Sequence, residues 1–261
     1  MGEAAPILET KSISKTFGGL TAVKNLDFSV APGEIRAIIG PNGSGKTTTL
    51  NLVSGVYAPD SGQVILGGRR IEGRSPDQIC AAGMARTFQN LRVFKKMSVL
   101  DNVLVGRHHL FRGGTFSVVC GLRRMRDEEK QAKAEAMDLL GFVGLHHRAG
   151  DPAGSLPYAQ QKLLEVARAL AAKPKVLLLD EPAAGMNSQE ILGLERIIRE
   201  IRDRGYTVIL IEHVMDLVRG LVDQVTVLNY GEKICEGSFS EIESNPEVIK
   251  AYLGKGATYR A

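Results

Sequence analysis

The segment Gly40-Pro41-Asn42-Gly43-Ser44-Gly45-Lys46-Thr47 constrains this chain more than any other feature. It matches G-x-x-x-x-G-K-[ST] in full, a loop whose main-chain N–H groups wrap a chain of phosphates. Such a loop works only between a strand, which delivers it to the ligand, and a helix, whose positive end faces the anion. Both neighbours are legible. Ile35 to Ile39 is an apolar run entered through a turn at Pro32-Gly33, and the residues through Leu50 and Val53 suit a helix. The glycines let the backbone approach closely, Lys46 is in reach of the terminal phosphates, and the Thr47 hydroxyl suits a Mg2+ ion bound to them.

A second feature answers the first. Val176 to Leu179 is an apolar run that ends in Asp180-Glu181-Pro182. A strand that releases acids at its carboxyl end places them at the ligand edge of an α/β sheet. Asp180 is suited to hold a magnesium hydration shell, and Glu181, one residue on, to act as general base on water. Val208 to Ile211 is another fully apolar run, as expected of a strand buried on both faces of a parallel sheet.

Upstream, Leu26, Phe28 and Val30 alternate with Asp27 and Ser29, so residues 7 to 39 read as strands, and Val64 to Leu66 as a further short one. From Val99 to Leu145 the pattern turns helical, with Ala136, Leu139, Leu140 and Val143 on one face. Asp151-Pro152 and Gly154 read as a linker. Leu163, Val166, Ala167, Leu170 and Ala171 form a second apolar helix face, ended near Lys173-Pro174. Asn229-Tyr230-Gly231 supplies a turn between two short strands, and residues 240 to 253 read as helical.

Composition narrows the remaining classes. A chain of 261 residues with 44% hydrophobic and 24% charged content suits one large α/β domain or a domain with a smaller appendage. The lack of Trp and 5% aromatics argue against an aromatic-platform binder, and a net charge of +4 is too small to indicate nucleic acid. Cys80, Cys120 and Cys235 are widely spaced and odd in number, which fits a reducing compartment. The first residues show no basic stretch followed by an apolar one, and Pro6 stands where an N-myristoylation motif needs Ser or Thr. The longest apolar runs fall far short of the roughly 20 residues of a membrane helix. The expectation is a soluble, cytoplasmic chain.

With these residues in view, the chain resembles the ATP-binding subunits of ABC transporters over nearly its whole length. The resemblance implies an α/β fold: a P-loop NTPase (RecA-like) core with an N-terminal antiparallel β subdomain and an inserted α-helical subdomain. Residues 1–94 and 155–234 would form the core with the β subdomain, 95–154 the helical subdomain, and 235–261 a C-terminal extension. It further implies that Gly40, Pro41, Asn42, Gly43, Ser44, Gly45, Lys46, Thr47 and Thr48 bind ATP and that Phe17 stacks on adenine. Thr47, Gln89 and Asp180 would hold Mg2+, and Glu181, His213 and Gln89 would carry the hydrolysis. Gln89 lies in Thr87-Phe88-Gln89-Asn90, similar to the family's Q-loop; His213 matches its switch histidine, and Ala183 to Asn187 its D-loop. Leu156, Pro157, Tyr158, Ala159 and Gln160 stand where the family norm is Leu-Ser-Gly-Gly-Gln, the segment that covers the partner subunit's ATP in the head-to-tail dimer. Pro157 removes a hydroxyl and an N–H there, and Ala159 replaces a glycine.

Several stretches resemble the larger ATPase subunit of branched-chain amino-acid importers: Ala85 to Phe94, Ala183 to Asn187, Leu228 to Glu232, and Asn245 to Ile249 with Ala251 to Gly254. Commonly these carry Leu-Pro-Tyr-Gly-Gln in the signature, so Pro157 and Tyr158 are similar to that subfamily and Ala159 is not. Extra residues at about 107–126 fit it as well. Within them an apolar stretch, Phe116 to Leu122, precedes Arg123-Arg124-Met125-Arg126, as in a segment that faces permease loops or anionic headgroups or in an ordinary loop leading into a helix. The resemblance implies two transmembrane permease subunits, a second ATPase subunit in a homo- or heterodimer, an extracytoplasmic substrate-binding protein, no nucleic acid, and a peripheral place on the cytoplasmic face of the membrane. Related importers of urea or short amides share these motifs. A DNA-acting ATPase with the same core would carry long coiled coils, and no sustained heptad repeat is present.

Overall fold

A computed structural model describes residues 5–110 and 122–253 of the chain. Most of the expected insertion, Cys120 and most of the apolar stretch from Phe116 therefore lie outside the described residues.

Two sheets and a helical cluster build the fold. Strands β1 (Leu8–Phe17) and β2 (Leu20–Val30) form an antiparallel hairpin, and β4 (Ser61–Leu66) and β5 (Arg69–Arg70) extend it into a sheet of order β2-β1-β4-β5. The second sheet contains β3 (Ile35–Ile39), β6 (Met84–Arg86), β7 (Val176–Asp180), β8 (Thr207–Ile211), β9 (Gln224–Asn229) and β10 (Glu232–Gly237), in the order β10-β9-β3-β8-β7-β6. It is parallel from β9 to β6, with only β10 antiparallel on its neighbour. Every residue of β3, β7 and β8 is buried. That explains why their sequences are continuous apolar runs rather than alternating ones.

Successive residues of these strands point to opposite faces and feed different cores. Ile35, Ala37, Leu177, Leu179, Val208 and Leu210 belong to one core. Ile38, Leu178, Ile209 and Ile211 pack into the other with Leu8, Leu26 and Val64 of the antiparallel sheet. The helices are α1 (Lys46–Val53), α2 (Pro76–Ala82), α3 (Val99–Val105), α4 (Leu122–Phe142), α5 (Tyr158–Ala171), α6 (Ser188–Asp203), α7 (Met215–Leu221), α8 (Phe239–Glu243) and α9 (Pro246–Leu253). A third core joins Val103 of α3, Ala136 and Leu140 of α4, and Leu164, Ala167 and Ala171 of α5. Helix α5 is shared: its Val166, Ala169 and Leu170 enter the sheet core instead. One helix thus connects the helical cluster to the sheet, and Leu156 to Gln160, expected as the signature segment, stand at its N-terminus.

Residues 240 to 253 fold as two helices, α8 and α9, separated at Asn245-Pro246. Proline disfavours a helical residue before it, and the Asn245 side chain caps the new helix by accepting from the Glu247 N–H at 2.9 Å. The short elements β6 and α2 carry too little periodicity to be read in advance; β6 exists because Met84 to Arg86 pair with Val176 to Leu178.

Candidate active site

The phosphate loop follows β3 directly. Gly40 has φ 152° and Gly45 φ 101°. A Cβ on Gly40 would lie 2.1 Å from the Leu228 carbonyl oxygen, and one on Gly45 would lie 2.5 Å from that of Ala22, so neither position admits a side chain. The close approach of Ala22 also sets the β1–β2 hairpin, with Phe17 at its tip, against the loop. Phe17 is 41% exposed and meets the Tyr57 ring edge-on at 5.2 Å. Lys46, at the first position of α1, is only 6% exposed. Its Nζ donates to the carbonyls of Gly40 at 2.7 Å and Pro41 at 3.0 Å. Burial lowers its pKa from the ordinary lysine value, and the nearby Glu181 carboxylate opposes that shift. Thr47, the second residue of α1, is exposed, and the buried Ser44 hydroxyl is without a hydrogen-bond partner among the described residues.

Beyond the carboxyl end of β7, three expected residues meet. Gln89 Nε2 donates to Glu181 Oε2 at 2.9 Å, and His213 Nε2 lies 3.1 Å from Glu181 Oε1. Glu181 holds φ 48°, a left-handed conformation that an L side chain rarely adopts. Its N–H donates to the Ile211 carbonyl at 3.0 Å, which carries the β7–β8 pairing one residue past Asp180. Gln89 leaves β6, Glu181 leaves β7 and His213 follows β8. Adjacent strands therefore place the three groups side by side at one sheet edge.

Asp180 is 2% exposed. Its Oδ2 accepts from Arg86 Nη2 at 2.8 Å, while Oδ1 is buried with no partner among the described residues. An unpartnered carboxylate oxygen at the carboxyl end of β7 fits a hydrated Mg2+ held mainly by phosphates, which needs only one or two protein ligands. Among the described residues no cluster of three or more His, Cys, Asp or Glu side chains could hold a metal by itself.

The signature segment stands apart from this cluster. Among the described residues, neither Phe17 nor Leu156 to Gln160 hydrogen-bonds to Gln89, Glu181 or His213. Pro157 precedes the first turn of α5, where its missing N–H costs no helical hydrogen bond. Tyr158 and Ala159 lie in that turn without positive φ, so the conformation here does not require the glycines of the family norm. The Tyr158 ring covers Gly185: a Cβ there would lie 3.1 Å from its Cε1.

Sequence reasoning missed five participants. Arg86, beyond pairing with Asp180, donates to Asn51 Oδ1 at 2.7 Å and Ser54 Oγ at 2.9 Å, both on the phosphate-loop helix side. Glu212 is 2% exposed and accepts from the N–H of Ala183 at 2.7 Å and of His213 at 3.0 Å. Burial raises its pKa, the three backbone N–H donors lower it, and the Glu181 charge adds to the rise. Lys162 and Glu165 interrupt an otherwise apolar face of α5 one turn apart, which was the available signal. The phenol of Tyr252 in α9 stands next to the Gly40 backbone; burial pushes its pKa up and the Gly40 backbone opposes that rise.

Comparison with known proteins agrees with this geometry. The family model described as ABC transporter matches residues 23–184, and one described as branched-chain amino acid ATP-binding cassette transporter matches residues 232–258. The chain is 40% identical to the Escherichia coli (strain K12) high-affinity branched-chain amino acid transport ATP-binding protein LivG, over 96% of this chain and 98% of that one. It is 41% identical to the corresponding Pseudomonas aeruginosa protein BraF, again covering 96% and 98% of the two chains. Among solved structures, a nucleotide-free ATP-binding cassette from an ABC transporter superposes with TM-score 0.84 at 32% identity, covering 96% of this chain and 100% of that one. A cassette in its ADP conformation gives 0.83 at 32%, covering 97% and 100%. The chain belongs to the ATP-binding subunits of ABC transporters. It is an ATPase subunit of a transport system, and among its described residues no helix is long and apolar enough to cross a membrane.

Proposed function

We propose that this subunit hydrolyses ATP to drive an importer of branched-chain amino acids, with Glu181 as general base. The observation that carries the mechanism is the convergence of Gln89, Glu181 and His213 beside the buried Lys46. In this reading Gly40 to Thr48 wrap the phosphates through main-chain N–H groups, Lys46 turns from the carbonyls of Gly40 and Pro41 to the terminal phosphates, and Phe17 stacks on adenine. Thr47, Asp180 and Gln89 would hold Mg2+, which supplies charge neutralisation at the phosphates when bound. Glu181, oriented by the Gln89 amide, takes a proton from the attacking water, and His213 and Lys46 stabilise charge on the transferring phosphoryl group.

Two ATPase subunits, identical or not, would close head to tail. Leu156 to Gln160 of each then cover the ATP of the other, and loss of the terminal phosphate releases them. The apolar cleft of about 470 Å3 lined by Phe88, Phe94 and Val105 supports permease docking beside Gln89. Two permease subunits, an extracytoplasmic binding protein and a peripheral position on the cytoplasmic face complete the assembly. The substrate assignment is supported by the match at residues 232–258 and by the names of the relatives at 40–41% identity.

Glu181→Gln tests the mechanism. It keeps the shape and removes the base, so turnover falls by at least about 10²-fold while ATP binding persists; near-normal hydrolysis would overturn the assignment. Deleting the gene should abolish uptake of labelled leucine, whereas loss of urea or amide uptake alone would redirect the substrate.

A further inference from the structure

Lys162 is a buried lysine that the proposed mechanism leaves without a role. It lies in the second turn of α5, the helix that begins with the signature residues, and is 4% exposed. Among the described residues both of its hydrogen bonds are to main-chain carbonyls: Nζ donates to the Gln89 carbonyl at 2.9 Å and the Glu181 carbonyl at 3.5 Å. The same two residues join through their side chains at 2.9 Å. Gln89, Glu181 and Lys162 therefore close a ring in which one ammonium grips the backbone of both the Q-loop and the base. Tyr158, one turn before Lys162, has its ring centroid 6.0 Å from that ammonium and covers Gly185. Helix α5 also holds the chain just after the Q-loop, through Glu165, whose Oε1 accepts from the Arg92 N–H at 2.6 Å, and through Arg168, which donates to the Arg92 carbonyl at 2.5 Å.

Burying an ammonium without a directly paired carboxylate is costly, so some compensation must be present. Burial lowers the Lys162 pKa, and the charges of Glu165, Asp180, Glu181 and Glu212 oppose that shift. A methionine would fill the same volume without desolvating a charge. What the lysine adds is directional: a donor aimed at the two carbonyls that flank the meeting point of Gln89 and Glu181. Glu181 needs such a restraint because its φ of 48° is strained and its carboxylate must be held on line with water.

We infer that Lys162 is a positioning residue that ties the signature helix to the Q-loop and the Glu181 backbone, so that the face one subunit offers its partner's ATP sets the geometry of its own base. This rests on the assignment of Glu181 as base and of Leu156 to Gln160 as the surface facing the partner's ATP. The link lies within one chain, and it joins the two ATP sites of a dimer through a single helix.

The test uses the full chain with Lys162→Met, which keeps the volume and removes the donor, and Lys162→Arg, which keeps donors and charge. Assembled with its permeases, K162M should lower kcat about tenfold or more, the scale of one hydrogen bond to a charged group, with KM for ATP within about twofold. K162R should recover most of the loss. In the isolated chain, amide hydrogen exchange should quicken at residues 87–91 and 181–183 of K162M while the core strands exchange as before. A raised KM with unchanged kcat, no rescue by arginine, or unchanged exchange in those two segments would each overturn the inference. Glu181→Gln run in parallel separates the two failures: if it hydrolyses ATP normally, the underlying mechanism fails, whatever Lys162 does.

Discussion

Replacing Arg86 by methionine should destabilise the chain more than any surface change, and the reason is electrostatic rather than steric. The side chains of Arg86 and Asp180 are 6% and 2% exposed and meet at 2.8 Å. Methionine retains most of the aliphatic bulk but leaves the Asp180 carboxylate buried with both oxygens unpaired, since Oδ1 already has no partner. Removing one partner of a buried pair costs about 3–5 kcal/mol. The loss of donors to Asn51 and Ser54 adds to it. For a chain of this length each kcal/mol moves Tm by about 2–4 °C, so the fall should be about 6–20 °C. Thermal unfolding of the purified, nucleotide-free chain, followed by calorimetry and circular dichroism, measures it. The double variant R86M/D180N is the control. Because asparagine carries no charge to strand, the double variant should be more stable than R86M, giving a coupling energy of the opposite sign to the two single losses. A fall below about 2 °C in R86M, or losses that simply add, would refute the account of this pair.

Three further outcomes follow from other sites. Ala159→Gly, which restores the family glycine, should cost about 0.5–1 kcal/mol of stability in the first turn of α5 and bring no gain in ATP turnover, because the backbone there is already helical; a faster assembled transporter would contradict this. Glu135, bonded by Lys173 at 2.6 Å and by Arg107, has its pKa lowered to about 2. A depressed carboxylate contributes stability above its ordinary pKa of 4.5 and loses it as pH falls toward 2, so an acid titration of Glu135→Gln should show a smaller stability loss in that window than the unmutated chain. Tyr252→Phe removes the hydroxyl that stands next to the Gly40 backbone, and should weaken ATP binding by no more than about tenfold, the upper scale of one neutral hydrogen bond; unchanged affinity, measured by titration with a fluorescent nucleotide, would mean that α9 does not support the loop.

How much was legible in advance depended on whether a signal was local. The phosphate loop was, because Gly40, Gly45, Lys46 and Thr47 are adjacent and their chemistry needs that spacing. So were β7 and β8, whose burial on both faces leaves no polar position, and the acids that end β7. The meeting of Gln89, Glu181 and His213 was only a pattern until three strands ran side by side, since residues 89 and 213 are far apart in the chain. Arg86 reads as an unremarkable basic residue before Thr87-Phe88-Gln89; its burial comes from a three-residue strand that forms only against β7. The break between α8 and α9 was written in Asn245-Pro246 but outweighed by the helical pattern on either side.

By itself, the order of residues determined which chemistry we propose for the chain: a glycine-rich loop suited to phosphates, two acids suited to a metal and a water, and buried strands to hold them. These depend on side-chain type and short spacing, both of which are properties of a linear string. Only the tertiary structure decided which charges are buried together. Arg86 faces Asp180 and Lys162 grips Gln89 and Glu181 because β6, β7 and α5 pack against one another. Burial is what turns ordinary surface residue types into strong electrostatic partners. The cost of desolvating a charge is set by everything that surrounds it, and that surrounding exists only once the sheet has closed.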